Sequence, residues 1–208
     1  MHPRLAVAAL CAIPVMAVLF HLLTRSGPSP LAGYLSALEI YWLLLALALL
    51  ASRGPWSLRP RWPGCWALAG FLAILAALIW QGGVRDLMSL SPVVLLTVAA
   101  AALLNGTLEE AFWRGALIPG LTRRDLRAAA PSLALFVAWH AAPGFGAVAL
   151  SGQGGMAGLL LAALILGLPA MAARLHSGSA GAGAIGHVLV NLLAFAMLAA
   201  RNPASGLP

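Results

Sequence analysis

The chain contains no lysine and few acidic residues: all 12 basic residues are arginine, and Asp and Glu together number 5 in 208 residues. Charged residues make up 8% of the sequence, whereas a soluble domain carries about 25%. Hydrophobic residues make up 62%, so the composition excludes an ordinary soluble protein and indicates an integral membrane protein. The arginines lie in short stretches between apolar runs, as is typical of membrane proteins, so the net charge of +7 requires no nucleic-acid partner.

The sequence also lacks the features of several other enzyme classes. Its two cysteines, Cys11 and Cys65, both fall in apolar segments, so we expect neither a disulfide nor a thiolate metal site. The chain has no His-Glu-x-x-His pattern of a zinc protease and no Gly-x-Ser-x-Gly pattern of a serine hydrolase. These two soluble-enzyme schemes are therefore set aside.

Seven apolar segments predict the fold class, an all-α polytopic transmembrane helical bundle of seven or eight spans. The segments cover residues 5–23, 34–51, 65–80, 93–117, 131–149, 156–173 and 183–200. The third and sixth are shorter than the roughly 20 residues that a span needs. We divide the chain into N-terminal transmembrane helices (1–92), a catalytic transmembrane core (93–200) and a short tail (201–208).

The arginine distribution predicts an orientation in the cell inner membrane. Three arginines fall on one side of the predicted bundle, namely Arg25, Arg85 and Arg201. The other eight loop arginines fall on the side of the N-terminus, which predicts a cytoplasmic N-terminus; they are Arg4, Arg53, Arg59, Arg61, Arg123, Arg124, Arg127 and Arg174. On this topology the loop Pro119–Ala130 is expected to guard a cytoplasmic mouth of the site.

Three short motifs place ionisable or polar groups inside the last apolar segments. They are Glu109-Glu110-x-x-x-Arg114, Phe136-x-x-x-His140 and His187-x-x-x-Asn191. Such groups are costly at membrane depth, so they tend to face a protein interior and to mark function. With the predicted topology all three motifs lie in the cytoplasmic half of the bilayer or near its midplane, which favours a single dispersed active site.

The spacing within the first motif separates the two glutamates. Residues four apart share a helix face and residues five apart do not. We therefore predict an ion pair between Glu110 and Arg114, and a Glu109 carboxylate that points elsewhere. Because an unpaired buried carboxylate is the better proton acceptor, Glu109 is the candidate general base, and Glu110 with Arg114 is structural support.

The other two motifs supply the remaining candidate groups. His140 can share the proton or hold the water, and Phe136, one turn earlier, is expected to shield it from lipid. The His187 and Asn191 side chains lie one turn apart and can stabilise an oxyanion. Two alternatives stay open: Glu109, His140 and His187 could instead bind zinc, and Glu39 could be either an interfacial carboxyl or part of the cavity.

The ordered trio of motifs resembles the CAAX protease and bacteriocin-processing family of intramembrane proteases, over about residues 93–200. The resemblance implies a glutamate-dependent, metal-independent endopeptidase without a cofactor. In this family the first Glu and the second-motif His activate water, here Glu109 and His140. The third-motif His and Asn form the oxyanion hole, here His187 and Asn191. The chain departs from the resemblance in its span count, since well-known members have about eight.

The resemblance implies a protein substrate with a membrane-associated C-terminal segment, either a prenylated CAAX-type tail or a C-terminal sorting signal. Abundant Ala, Gly and Arg without lysine is typical of a GC-rich bacterial genome, which favours a lipid-modified or membrane-anchored tail over a prenylated one. The partners expected are this substrate and the lipid bilayer, and the oligomeric state stays open. Competing hypotheses are a non-catalytic immunity or binding protein and a proton-coupled transporter, although no internal repeat supports the latter.

Overall fold

The computed structural model describes residues 1–52, 54–121, 125–152 and 154–203. These residues form nine α-helices and one π-helical segment, with no β-strand among them, so the predicted all-α class is confirmed. The helices are α1 (Pro3–Ser26), α2 (Pro30–Ala51), α3 (Cys65–Trp80), α4 (Gly83–Met88), α5 (Pro92–Glu110), α6 (Leu126–Trp139), α7 (Ala141–Ala147), α8 (Gly155–Ser177) and α9 (Gly181–Arg201), and the π-helical segment Ala111–Ala116 continues α5.

Five helical segments in the described parts of the chain are long and apolar enough to cross a membrane. They are α1, α2, α5 with its π-helical continuation, α8 and α9. Helix α8 has 23 residues, so the sixth predicted span is a full-length helix rather than a short one. Helix α3 is apolar but has only 16 residues, in agreement with its predicted length.

The fifth predicted span, residues 131–149, is wrong as a single helix. Helix α6 already begins at Leu126, because the Asp125 side chain accepts a hydrogen bond from the Ala128 amide and caps the first turn. The helix ends at Trp139, and the shorter α7 follows it. Pro143 has no amide hydrogen to donate to the Trp139 carbonyl, which explains why the helix breaks at this point.

The helices pack around a central pair, α5 and α9. Gly106 lets these two backbones approach closely, since a Cβ atom added there would lie 2.7 Å from the Val188 amide nitrogen. Small residues at such crossings are typical of membrane helix pairs. Around this pair α1 packs on α2 and α7, and α3 packs on α8. Helices α3 and α8 meet at Gly70, where an added Cβ would lie 2.9 Å from the Pro169 Cβ.

Hydrogen bonds close the end of the bundle that carries the N-terminus and most of the arginines. The buried Arg174 side chain donates from Nε to the Arg114 carbonyl at 2.6 Å and from Nη2 to the Ile118 carbonyl at 3.2 Å. The Ser179 hydroxyl donates to the backbone before α3, with the Arg59 carbonyl at 2.7 Å. Arg174 is therefore a structural residue inside α8, not the loop arginine that the topology count assumed.

Candidate functional site

One cavity of about 390 Å³ collects the residues that the sequence singled out as catalytic. Its walls include Glu109 from α5, His140 from the junction of α6 and α7, and both His187 and Asn191 from α9. Glu110 and Arg114 do not line it. The structure therefore brings the three motifs together and separates the two glutamates, with Glu109 at the cavity wall and Glu110 behind it.

Glu110 forms the ion pair that the four-residue spacing predicts, so this geometric prediction is confirmed. Arg114 Nη1 lies 3.1 Å from Glu110 Oε1, and both side chains are fully buried. The guanidinium also sits over the Phe136 ring, with Cζ 3.9 Å from the centroid, and reaches the Gly167 carbonyl at 3.4 Å. Arg114 lies in the π-helical segment Ala111–Ala116, a backbone form often found at functional sites.

His187 bridges the two carboxylates. Its Nδ1 lies 3.1 Å from Glu110 Oε1 and its Nε2 lies 3.5 Å from Glu109 Oε2. The first of these contacts is a hydrogen bond between the imidazole and the Glu110 carboxylate. His187 therefore lies against both glutamates, and its role as a donor to a substrate oxygen stays a prediction.

His140 is held in one tautomer by the backbone of its own helix. Its Nδ1 lies 2.8 Å from the Phe136 carbonyl oxygen, which can only accept, so Nδ1 carries the hydrogen. The His140 amide bonds to the Val137 carbonyl instead, and this tighter last turn leaves the Phe136 carbonyl free for the ring. In the neutral ring, Nε2 is then an acceptor. The Phe136 ring packs edge-on against the imidazole at a centroid distance of 4.7 Å.

Asn191 contributes a donor to the same cavity. The residue is 7% exposed, and its Nδ2 has no hydrogen-bond partner among the residues that the structure describes. A buried amide without a partner is costly. The group is therefore suited to bind an oxygen atom that enters the cavity with a ligand.

Asn105 and Tyr41 are among the cavity residues that were missed from the sequence. Asn105 lines the cavity one turn before Glu109, and its Oδ1 accepts a 2.8 Å hydrogen bond from Trp42 Nε1. Tyr41 also lines it, interacts with Glu109, and accepts a 3.2 Å hydrogen bond from Trp113 Nε1. The four-residue spacing from Glu109 could have identified Asn105, but no local signal marks Tyr41, because helix α2 is apolar nearly all round.

The structure bears on two alternatives from the sequence, a cavity position for Glu39 and a zinc site. Glu39 is exposed on α2 and does not line the cavity. Within the described ranges, no three or more His, Cys, Asp or Glu side chains are arranged to hold a metal ion. The set of Glu109, His140 and His187 is therefore not a preformed three-ligand site in this structure.

The cavity opens at the end of the bundle away from the arginine-rich loops. Its lining residues run from the buried Glu109 and His187 to Gln81, Gly152 and Arg201, which are exposed. It also opens sideways between α3 and α8, on one side of their contact at Gly70 and Pro169. There the exposed residues Ala77, Ala162 and Ile165 line both walls.

The expected mouth at the loop Pro119–Ala130 is therefore not observed. No described residue of that loop lines the cavity; Thr122, Arg123 and Arg124 lie outside the described residues. The physical reason is the layer of buried contacts beneath the loop. Glu110, Arg114 and Arg174 fill the space between the cavity and that end of the bundle.

Comparison with known protein families gives a match over the second half of the chain. Residues 90–193, half of the chain, match the family model described as "Rce1-like: Type II CAAX prenyl endopeptidase Rce1-like". The match spans all three motifs and includes α5, most of α9 and every element between them. No significant match was found among curated proteins or among solved structures.

Proposed function

The chain belongs to the Rce1-like family of type II CAAX prenyl endopeptidases, and on that basis we propose that it is an intramembrane endopeptidase whose general base is Glu109. The family is one of membrane proteases, which makes this chain a membrane-embedded peptidase acting on a membrane-associated protein. The finer assignment to Glu109 is supported by one observation above all. Of two adjacent buried glutamates, only Glu109 lines the cavity, while Glu110 is paired with Arg114.

In the proposed reaction a water molecule binds between Glu109 and His140. One of its hydrogens points to the Glu109 carboxylate, and the other points to His140 Nε2, which the Phe136 carbonyl keeps available as an acceptor. The water oxygen attacks the carbonyl carbon of the scissile peptide bond as Glu109 takes its proton. The same proton is then passed to the departing amine nitrogen, so the carboxylate is regenerated as the C–N bond breaks.

The oxyanion of the tetrahedral intermediate is proposed to bind Asn191 Nδ2, the buried donor in the cavity wall. His187 was predicted for the same role. Its contacts with both glutamates also support a positioning role, in which the ring holds the two carboxylates in place.

A matched pair of glutamate variants tests the assignment. The probe is a quenched fluorescent peptide ending in a farnesylated CAAX sequence, incubated with the purified protein in detergent. Glu109→Gln should lower the hydrolysis rate by at least about 100-fold, whereas the same change at the exposed Glu39 should leave it unchanged. Wild-type activity in the Glu109→Gln variant would exclude Glu109 as the base.

The proposal includes metal independence, which a chelation experiment tests. Incubation with EDTA or 1,10-phenanthroline should leave the hydrolysis rate unchanged, since the proposed base and donors are all side chains of the chain itself. Loss of activity that added zinc restores would favour the zinc-dependent alternative.

We further propose that the N-terminus is cytoplasmic in a bacterial inner membrane, from the arginine bias. The cavity would then open toward the outer side. Single cysteines at Arg61 and at Ser151, both exposed and at opposite ends, report the two sides when Cys11 and Cys65 are replaced. An impermeant maleimide should label Ser151→Cys in intact spheroplasts and Arg61→Cys only in inverted vesicles. The reverse pattern would turn the cavity toward the cytoplasm.

A further inference from the structure

Arg201 stands at the mouth of the cavity that holds Glu109. It is the last residue of α9, and its side chain is 37% exposed. It lines the cavity and lies against Gly152, where an added Cβ would be 2.7 Å from the Arg201 Cδ. The neighbouring Asn202 fixes this arrangement, because it accepts from the Ser151 amide at 2.9 Å and donates to the Ser151 carbonyl at 3.1 Å.

The charge of Arg201 is only partly compensated. Its Nε lies 3.9 Å from Asp86 Oδ2, whereas Arg85 Nη2 lies 3.0 Å from Asp86 Oδ1. One carboxylate thus faces two guanidinium groups, and the cluster carries a net charge of +1. No other acidic residue of the chain lies at this mouth. The remaining four are Glu109 and Glu110 at the deep end, Asp125 at the start of α6, and Glu39 on the exposed face of α2.

A cation at the C-terminus of a helix also interacts favourably with the helix dipole. That interaction does not require the side chain to line a cavity, and an arginine pointing away from the cavity would provide it equally well. The position of Arg201 at the cavity mouth, with charge in excess, therefore needs a second explanation.

We propose that Arg201 is a specificity-determining residue that binds a carboxylate on the substrate segment occupying the cavity. This inference rests on the proposed peptidase function and assigns the substrate an apolar segment that ends in an anionic group. Between the two polar ends the α9 wall is apolar, with Val190, Ala194 and Leu198 lining the cavity.

The length of the cavity specifies the spacing in the substrate. His187, which contacts Glu109, and Arg201 are separated by 14 positions on one helix, 201 minus 187, or about 21 Å at 1.5 Å per residue. An extended chain rises by about 3.3 Å per residue. A carboxylate bound at Arg201 would therefore lie about six residues from the peptide bond at Glu109.

Charge-selective labelling tests the anion site without requiring catalysis. Ala194 lines the cavity between its two ends. The variant Ala194→Cys is made in a background without Cys11 and Cys65. It is treated with two methanethiosulfonate reagents of opposite charge, the anionic ethylsulfonate and the cationic ethyltrimethylammonium. We expect faster reaction with the anionic reagent, and Arg201→Gln should lower the anionic-to-cationic rate ratio by about tenfold. Arg25→Gln, which changes an arginine at the same end that does not line the cavity, should leave the ratio unchanged.

Peptide protection tests the carboxylate itself. A six-residue acetylated leucine–alanine peptide with a free C-terminal carboxylate should protect Ala194→Cys at a several-fold lower concentration than its C-terminal amide. Arg201→Gln should remove this difference, and Arg201→Lys, which keeps the charge, should retain most of it. Equal protection by the two peptides would overturn the proposal. The proposal would also be overturned if phosphatidylglycerol, added to the detergent micelles, abolished the stronger protection by the carboxylate peptide. A lipid phosphate would then be the group that Arg201 binds.

The labelling experiments are repeated in the Glu109→Gln background, which separates this inference from the proposed function. Suppose that the charge selectivity persists in this background and that the protein with Glu109 intact hydrolyses no peptide. That combination would refute the peptidase assignment and support the anion site. Hydrolysis that depends on Glu109 but is equally fast for a peptide whose carboxylate lies about six residues beyond the cleaved bond and for its amide would support the peptidase assignment and overturn the role of Arg201.

Discussion

The same substitution, Glu→Gln, should affect stability differently at the two adjacent positions 109 and 110. Glu110→Gln leaves Arg114, fully buried and 3.1 Å from the lost charge, without its ionic partner. Breaking a buried pair in this way costs about 3–5 kcal/mol. For a chain of this size such a loss lowers the unfolding temperature by roughly 10 °C. Glu109→Gln strands no arginine, so its unfolding temperature should stay within about 2 °C of the wild type.

The assay is thermal unfolding of the purified variants in one detergent, followed by tryptophan fluorescence, beside the hydrolysis rate. A third variant, Glu110→Gln with Arg114→Met, removes the unpaired charge, and it should recover at least half of the lost unfolding temperature while remaining poorly active. Equal destabilisation by Glu109→Gln and Glu110→Gln would refute the reasoning. It would mean that His187, which contacts both carboxylates, rather than Arg114, determines the stability of the cluster.

Two further outcomes follow from the site and the helix packing. Asn191→Ala should lower the turnover rate by about 100-fold or more, with little change in substrate affinity or unfolding temperature, because the Nδ2 donor is needed only for the oxyanion. An unchanged turnover rate would remove Asn191 from the mechanism. Gly106→Ala should lower both stability and activity, since the new Cβ would lie 2.7 Å from the Val188 amide nitrogen and force α5 away from α9; a fully stable and active variant would show that this contact can relax.

Local spacing was sufficient to predict the polar layout of the site. The distances along the chain from Glu109 and Glu110 to Arg114 separated a paired carboxylate from a cavity carboxylate, and the structure has that arrangement. Helix periodicity also placed His187 and Asn191 on one face, and both line the cavity. These features depend on spacing within a single helix, and therefore they can be predicted from the sequence.

Features that depend on contacts between helices were missed or misplaced. Tyr41 joins the site only because α2 packs beside α5, and Arg174 looked like a loop residue although its side chain is buried against the carbonyls that follow α5. The break at His140 depends on a single tighter hydrogen bond and on Pro143. The position of the sideways opening depends on how α3 packs on α8, which no pattern within either helix reveals.

The proline at the crossing of α3 and α8 has a consequence for the backbone of any bound peptide. Pro169 cannot donate to the carbonyl of Ile165, so that oxygen lacks the helical partner it would otherwise have. Ile165 lines the sideways opening of the cavity. A substrate strand leaving its own helix must satisfy its amide groups where lipid offers none. The α8 backbone can provide an acceptor at that place, so the proline at which the two helices touch would also lower the cost of unwinding a chain that passes beside it.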